Sequence, residues 1–175
     1  MTIWITSDTH FGHDNIINYE NRPFRSAKEM DESLVARWNS VVKPEDVVFH
    51  LGDFGMAPKE KMIAIFKQLN GKITLVRGNH EPPLSAILDI GFHSVANEIR
   101  LQYKHWEFHM THIPQADLMY DEMRTNMINL HGHIHGKKRA SCNRINVSCD
   151  AWDYTPQTLD DLMMEYRKQR KGNYD

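Results

Sequence analysis

Several features that would place this chain in a special class are scarce or missing. Its 175 residues include two cysteines, Cys142 and Cys149, which do not form a CxxC pair. That excludes a disulfide-stapled scaffold; it reads as two reduced thiols in a cytoplasmic protein, with metal ligation as the less favoured reading. No apolar run approaches the roughly 18–20 residues of a membrane span. The opening stretch MTIWITSDTH lacks the basic and apolar regions of a secretory signal. Charge is nearly balanced, 21 Lys and Arg against 23 Asp and Glu, so no broad field draws the chain to nucleic acid or an anionic membrane. Repeats, low-complexity tracts and linkers are also missing, and one globular domain over residues 1–175 is expected.

Histidine, by contrast, occurs eleven times. The stretch NLHGHIHGKK, residues 129–138, sets His131, His133 and His135 on alternate positions beside Gly132 and Ile134. Such a tract is an accident of composition, a tag, or a set of metal ligands.

The coarse pattern alternates strands and helices. TIWIT (2–6), DVVFHL (46–51) and KITLVR (72–77) are short apolar runs that read as buried strands. Residues 26–42 open with Ser26 and Glu29 at capping-box spacing, and then place Met30, Leu34, Trp38 and Val41 on one helical face. Residues 58–71 carry Met62, Ile65, Phe66 and Leu69 at helical spacing, and 83–91 reads as a short helix. From residue 94 the pattern alternates like antiparallel strands with a hairpin near Lys104-His105, then strands at 126–133 and 144–150 and an amphipathic helix at 159–171. Together these predict an α/β fold with sheets of mixed direction flanked by helices.

The turns at the strand ends carry the chemistry. They hold, in order, Asp8 and His10; Gly52-Asp53; Gly78-Asn79-His80-Glu81; His112; and His133 with His135. In α/β folds sites collect at the carboxyl ends of strands, so these five turns are expected to meet at one edge. Carboxylates, imidazoles and one amide oxygen suit first-row divalent metals such as Mn, Fe, Ni or Zn. Asp8, His10, Asp53, Asn79, His112, His133 and His135 are more donors than one four-coordinate ion takes, and two ions bridged by a carboxylate would use them.

This ordered series resembles the signature of the calcineurin-like metallophosphoesterases, and the opening SDTHFGHDNII is similar to small bacterial and phage-type members. The resemblance implies a four-layered αββα sandwich in which two mixed β-sheets pack face to face between helices. It implies that Asp8, His10 and His135 hold one metal, that Asn79, His112 and His133 hold a second, and that Asp53 bridges them. It further implies hydrolysis of a phosphate ester by a metal-bridging hydroxide, with His80 as general acid and manganese as the expected metal. Glu81 would orient an imidazole, while His13 and Arg77 are candidates for phosphate contact.

The serine/threonine phosphatases of the superfamily share RGNHE with this chain but also carry an arginine soon after Gly-Asp, where this chain reads GDFGMAP. A protein phosphatase is therefore disfavoured, and a small ester is expected: a phosphodiester first, a phosphomonoester as the alternative. Nucleotide or nucleic acid is compatible but not indicated by charge. A catalytically idle interaction scaffold of the same fold is the non-enzymatic reading, and an intact His80 weighs against it. Mononuclear zinc hydrolases with an early His-x-His fit poorly, because here Asp-x-His comes first. His131 reads as a supporting residue, His50 as core, Phe11, Phe54, Trp152 and Tyr154 as packing groups, and residues 114–126 as a rim or lid. No oligomeric state is legible.

Overall fold

The computed structural model describes residues 1–115, 126–137, 140–141 and 143–171. Cys142 and most of the expected rim at 114–126 lie outside those residues.

The apolar runs form β1 (Ile3–Thr6), β2 (Val47–His50) and β3 (Lys72–Val76), which lie parallel and adjacent. With β4 (Ser94–Ala96) and an antiparallel edge strand, β10 (Gln157–Thr158), they make a sheet of order β10-β1-β2-β3-β4. A second sheet, β5-β6-β7-β9-β8, is built from β5 (Ile99–Tyr103), β6 (Trp106–Met110), β7 (Met127–His131), β8 (Ala140–Ser141) and β9 (Arg144–Asn146).

The core between the sheets holds Ile5, Leu51 and Val76 from the first against Phe108, Met110, Ile128, Leu130 and Ile145 from the second. Helix α5 (Leu159–Lys171) seals this core with Leu159, Leu162, Met163 and Tyr166. The other side of the first sheet is covered by α1 (Asp14–Tyr19), α2 (Ala27–Val41), α3 (Lys59–Phe66) and α4 (Leu84–Ile90), through Ile16, Met30, Leu34, Trp38, Met62, Ile65, Ile87 and Ile90. This is the α/β fold of two mixed, helix-flanked sheets that the alternating pattern predicts. No helix among the described residues is long and apolar enough to cross a membrane.

The Ser26 cap of α2 is present: its hydroxyl accepts the Glu29 N–H at 3.2 Å, and the Glu29 carboxylate reaches back to the Arg25 N–H at 2.8 Å. Three expectations are corrected. The strands after residue 94 are not uniformly antiparallel. Among the described residues the β5–β6 hairpin, the β8–β9 pair and the β10–β1 pair are, whereas β4 joins β3 in parallel and β6-β7-β9 run parallel. Alternation reports which face of a strand is buried, not the direction of its neighbour, and the connections at 111–126 and 132–143 are long enough for crossovers. Helix α3 stops at Phe66, short of Gly71, because Gln68 and Leu69 donate to Ile65 and Phe66 in tight turns. Helix α1 was not anticipated; six residues give too short a periodicity to read.

Candidate metal centre

Parallel strands β1, β2 and β3 deliver their carboxyl ends to one edge, and β6 and β7 deliver theirs to the same edge from the second sheet. The seam is closed by backbone. Ser7 bridges to Ser148, and the Cys149 N–H donates to the Ser7 carbonyl at 3.0 Å. The loop after β1 is zipped to the loop after β2: the N–H groups of Asp8, His10 and Phe11 donate to the carbonyls of Gly52, Asp53 and Phe54 at 2.9–3.0 Å. Five predicted ligands sit on these turns in left-handed backbone conformation: Asp8 (φ 56°), His10 (52°), Asp53 (55°), His133 (70°) and His135 (50°). For residues with a Cβ this region costs on the order of 1–2 kcal/mol each, so backbone strain is concentrated where donors are predicted. The motif glycines permit the close approach. A Cβ on Gly132 would collide with the Asp8 carboxylate and the Ser7 hydroxyl, and one on Gly78 would collide with the carboxylates of Asp53 and Glu81.

All seven predicted ligands come together. Donor atoms of Asp8, His10 and His135 lie within 4.8 Å of one another, as do those of Asp8, Asp53 and His112. Asp53 Oδ2 stands 3.6 Å from His10 Nε2 and 3.4 Å from His112 Nε2, between the two groups. Asn79 Oδ1 is 2.8 Å from His112 Nε2 and 3.0 Å from His133 Nδ1. Asp8, His10, Asp53 and His112 are buried, His135 is half-buried, and Asn79 and His133 open toward solvent. Such a set of carboxylate, imidazole and amide donors fits divalent cations. One orphan atom points the same way: His10 Nε2 is buried and has no hydrogen-bond partner.

Hydrogen bonds from neighbours aim the donors. His112 Nδ1 donates to the Leu51 carbonyl at 2.8 Å, leaving Nε2 to face the site. His135 Nδ1 meets Asp150 Oδ2 at 3.0 Å. Asp150 is in turn gripped by the buried Arg22, Nε to Oδ1 and Nη2 to Oδ2, both at 2.8 Å. The same guanidinium donates to the Asp8 carbonyl at 2.7 Å and the Thr9 carbonyl at 2.9 Å, so one side chain ties together the turns carrying Asp8, His10 and His135. This carboxylate–histidine arrangement fixes ring orientation and raises the basicity of the ligating nitrogen. The Asp8 carboxylate accepts from Ser7 and Ser148 hydroxyls at 2.6 Å and from the His133 N–H at 3.1 Å.

Burial raises the pKa of Asp8 against the opposing pull of His112, His135 and the two serines, so a cation beside it would stabilise its charged form. Burial lowers His10 to about 3 although Asp53 attracts its proton, which keeps that imidazole neutral. At His112 burial is outweighed by the hydrogen bond with Asp53 and the charges of Asp8 and Asp53, and the ring is raised to about 9 in the metal-free protein. Burial opposes ionisation of Asp53 too, but His112 and the His80 N–H, 3.0 Å from Oδ1, hold its pKa below the usual range.

The remaining candidates divide. His80 is exposed at the mouth, its ring 6.0 Å from that of His10. His13 begins α1 but makes no cap hydrogen bond; its ring lies 5.5 Å from His10, inside the cluster. Among the described residues the Glu81 carboxylate hydrogen-bonds no imidazole, although it lies within electrostatic reach of His112. Its carboxylate accepts the Phe54 N–H at 3.0 Å and the Gly78 N–H at 2.6 Å, pinning the Asp53 turn to the Asn79 turn. The cause is proximity: both turns present unpaired amides to a side chain leaving the second one. Among the described residues Arg77 forms no ion pair, and its Nε is buried without a partner. His131 packs beneath the site with Nδ1 on the Gly132 carbonyl, and His50 hydrogen-bonds Thr9. Phe11, Phe54, Trp152 and Tyr154 all pack in the cores. Sequence reasoning missed Arg22 and Asp150. Asp150 had a signal, since RINVSCD is one more strand running into a carboxylate; Arg22 had none.

Residues 1–148 match the family described as the calcineurin-like phosphoesterase superfamily domain. The chain belongs to that superfamily. It is 34% identical over 171 residues to an uncharacterized protein of Methanocaldococcus jannaschii, covering 90% of this chain and 87% of the relative. It is 26% identical to the Gene 66 protein of Mycobacterium phage L5, over 85% of this chain and 86% of that one. A solved protein of unknown function from Aquifex aeolicus superposes with a TM-score of 0.77 at 25% identity, covering 93% of this chain and 98% of the other. As a calcineurin-like phosphoesterase the chain is a hydrolase with residues able to hold divalent metal.

Proposed function

We propose that the protein is a dinuclear metal-dependent phosphodiesterase acting on a small phosphate ester, with manganese as its metal, in the cytoplasm. The observation that supports this reading is a pair of donor groups that share Asp8, each within 4.8 Å, with Asp53 Oδ2 standing 3.6 Å from His10 Nε2 and 3.4 Å from His112 Nε2. Asp8, His10 and His135 would hold one cation and Asn79, His112 and His133 the other, with Asp53 available to both. Divalent cations held there supply the charge that makes water nucleophilic at neutral pH and neutralises the phosphoryl oxygens.

The chain's own groups do the rest. Arg22 and Asp150 keep His135 turned toward Asp8. Glu81 locks the Asp53 and Asn79 turns, so that His80 projects over the mouth with its backbone N–H on Asp53. From there the His80 imidazolium gives its proton to the departing alkoxide, a role general acids fill with about 10²–10⁴-fold effect. His13, next to His10, is placed to contact a phosphoryl oxygen. Diester is favoured over monoester because the GDFGMAP block after β2 carries no arginine to neutralise the extra charge of a monoester.

The test is metal-stripped protein reloaded with Mn²⁺ and assayed on bis(4-nitrophenyl) phosphate beside 4-nitrophenyl phosphate. Metal-dependent diester cleavage that exceeds monoester cleavage supports the proposal. A monoester preference makes the protein a phosphatase, and turnover of neither ester by a two-metal protein favours the scaffold.

A further inference from the structure

Next to Asn79 and His112 a cleft of about 260 Å³ opens between the turn after β3 and the turn after β6. Arg77, Asn97, Glu98, Thr111, Ile113 and Gln115 also line it, and His80 is not among the lining residues. Arg77 is held in place by its own backbone, whose N–H donates to the Ala96 carbonyl at 2.9 Å. Its side chain is otherwise unusual. Nε is buried with no hydrogen-bond partner, and no carboxylate pairs with the guanidinium among the described residues. The one acid among the described lining residues, Glu98, is engaged by His109 Nε2 at 2.9 Å. A buried guanidinium nitrogen left without a partner is costly unless a ligand completes it, and the planar fork of arginine matches phosphate oxygens bidentately.

We propose that this cleft is the subsite for the retained arm of the diester, and that Arg77 binds a second phosphate-class anion carried on that arm. The inference rests on the phosphodiesterase reading and deepens it. Hydrolysis breaks the bond from phosphorus to the leaving alcohol, which takes the proton from His80, and leaves a phosphomonoester on the arm that stays in the cleft. The amides of Asn97 and Gln115 suit the hydroxyls of a polyol or sugar. At about 260 Å³ the space falls just under the usual small-ligand range of about 300–1,000 Å³, which matches a sugar phosphate rather than a length of nucleic acid.

Two chromogenic diesters that differ by one group decide it: thymidine 5′-(4-nitrophenyl phosphate), and the same compound bearing a 3′-phosphate. With Mn²⁺-loaded wild-type protein, kcat/KM is expected to be at least about tenfold higher for the 3′-phosphorylated ester, as an added charge-assisted arginine contact predicts. Arg77→Gln should bring that ratio close to one, whatever its effect on either substrate alone, and Arg77→Lys should restore part of it. A wild-type ratio near one, or a ratio that survives Arg77→Gln, overturns the subsite. Turnover of neither ester sinks the phosphodiesterase reading. The subsite is then decided by calorimetric binding of thymidine 3′,5′-bisphosphate against the 5′-monophosphate. A preference for the bisphosphate that Arg77→Gln abolishes upholds it, and equal affinities end it.

Discussion

Replacing Asp150 by Asn isolates the device behind the first metal group. The wild-type carboxylate holds His135 Nδ1 at 3.0 Å and is itself held by Arg22 at 2.8 Å through two nitrogens. Asn keeps the size and one acceptor oxygen but removes the charge that makes His135 a strong donor, and it costs Arg22 its bidentate ion pair while leaving its bonds to the carbonyls of Asp8 and Thr9. Loss of such an outer partner costs about 10–100-fold in metal affinity, or about 1.4–2.7 kcal/mol. The loss should fall on the group formed by Asp8, His10 and His135 and spare the group with Asn79, His112 and His133. Dialysis against graded chelator, with elemental analysis at each step, reads the two affinities separately. In a His135→Ala background the same substitution should add almost nothing, because its route to the metal is gone. Wild-type affinity in Asp150→Asn, equal weakening of both sites, or full additivity with His135→Ala would each refute the reasoning.

Other consequences are as direct. His80→Ala should lower kcat about 10²–10⁴-fold while two metals still bind, which stopped-flow assay and elemental analysis together check. Gly132→Ala drives a methyl into the Asp8 carboxylate and should cost a metal ion per chain; full occupancy would contradict the close approach described. In metal-free protein His50 stays neutral in the fold down to about pH 3 because it is buried, whereas unfolded histidine takes a proton near 6.5. Between those values the unfolded state binds the extra proton, so stability falls with falling pH, by about 1.4 kcal/mol per unit or about 2 kcal/mol from pH 6.5 to 5. Urea unfolding of His50→Gln should show that much less loss over the same interval, and an unchanged pH slope would remove His50 as its cause.

The donors were legible because each ends an apolar strand, and strand ends are where an α/β sheet gathers its chemistry. Asp8, His10, Asp53, Asn79, His112, His133 and His135 could therefore be picked out one by one, and the structure brings them together. What sequence could not supply was anything dependent on pairing across the chain. Strand direction in the second sheet is set by crossovers, so β6, β7 and β9 read as antiparallel and are parallel. Arg22 and Asp150 meet across 128 positions of sequence, and nothing near Arg22 announces the partner. Glu81 was assigned to an imidazole by its motif neighbours, but the fold sets two backbone amides in front of it instead.

The most direct test of the central claim is metal stoichiometry against diesterase rate in one titration. Metal-stripped protein receives Mn²⁺ in steps while bound metal and bis(4-nitrophenyl) phosphate turnover are recorded together. The account predicts two ions bound per chain, with activity rising chiefly on the second equivalent, and Asp53→Ala abolishing that activity. Full activity at one bound ion, or wild-type turnover by Asp53→Ala, would contradict it.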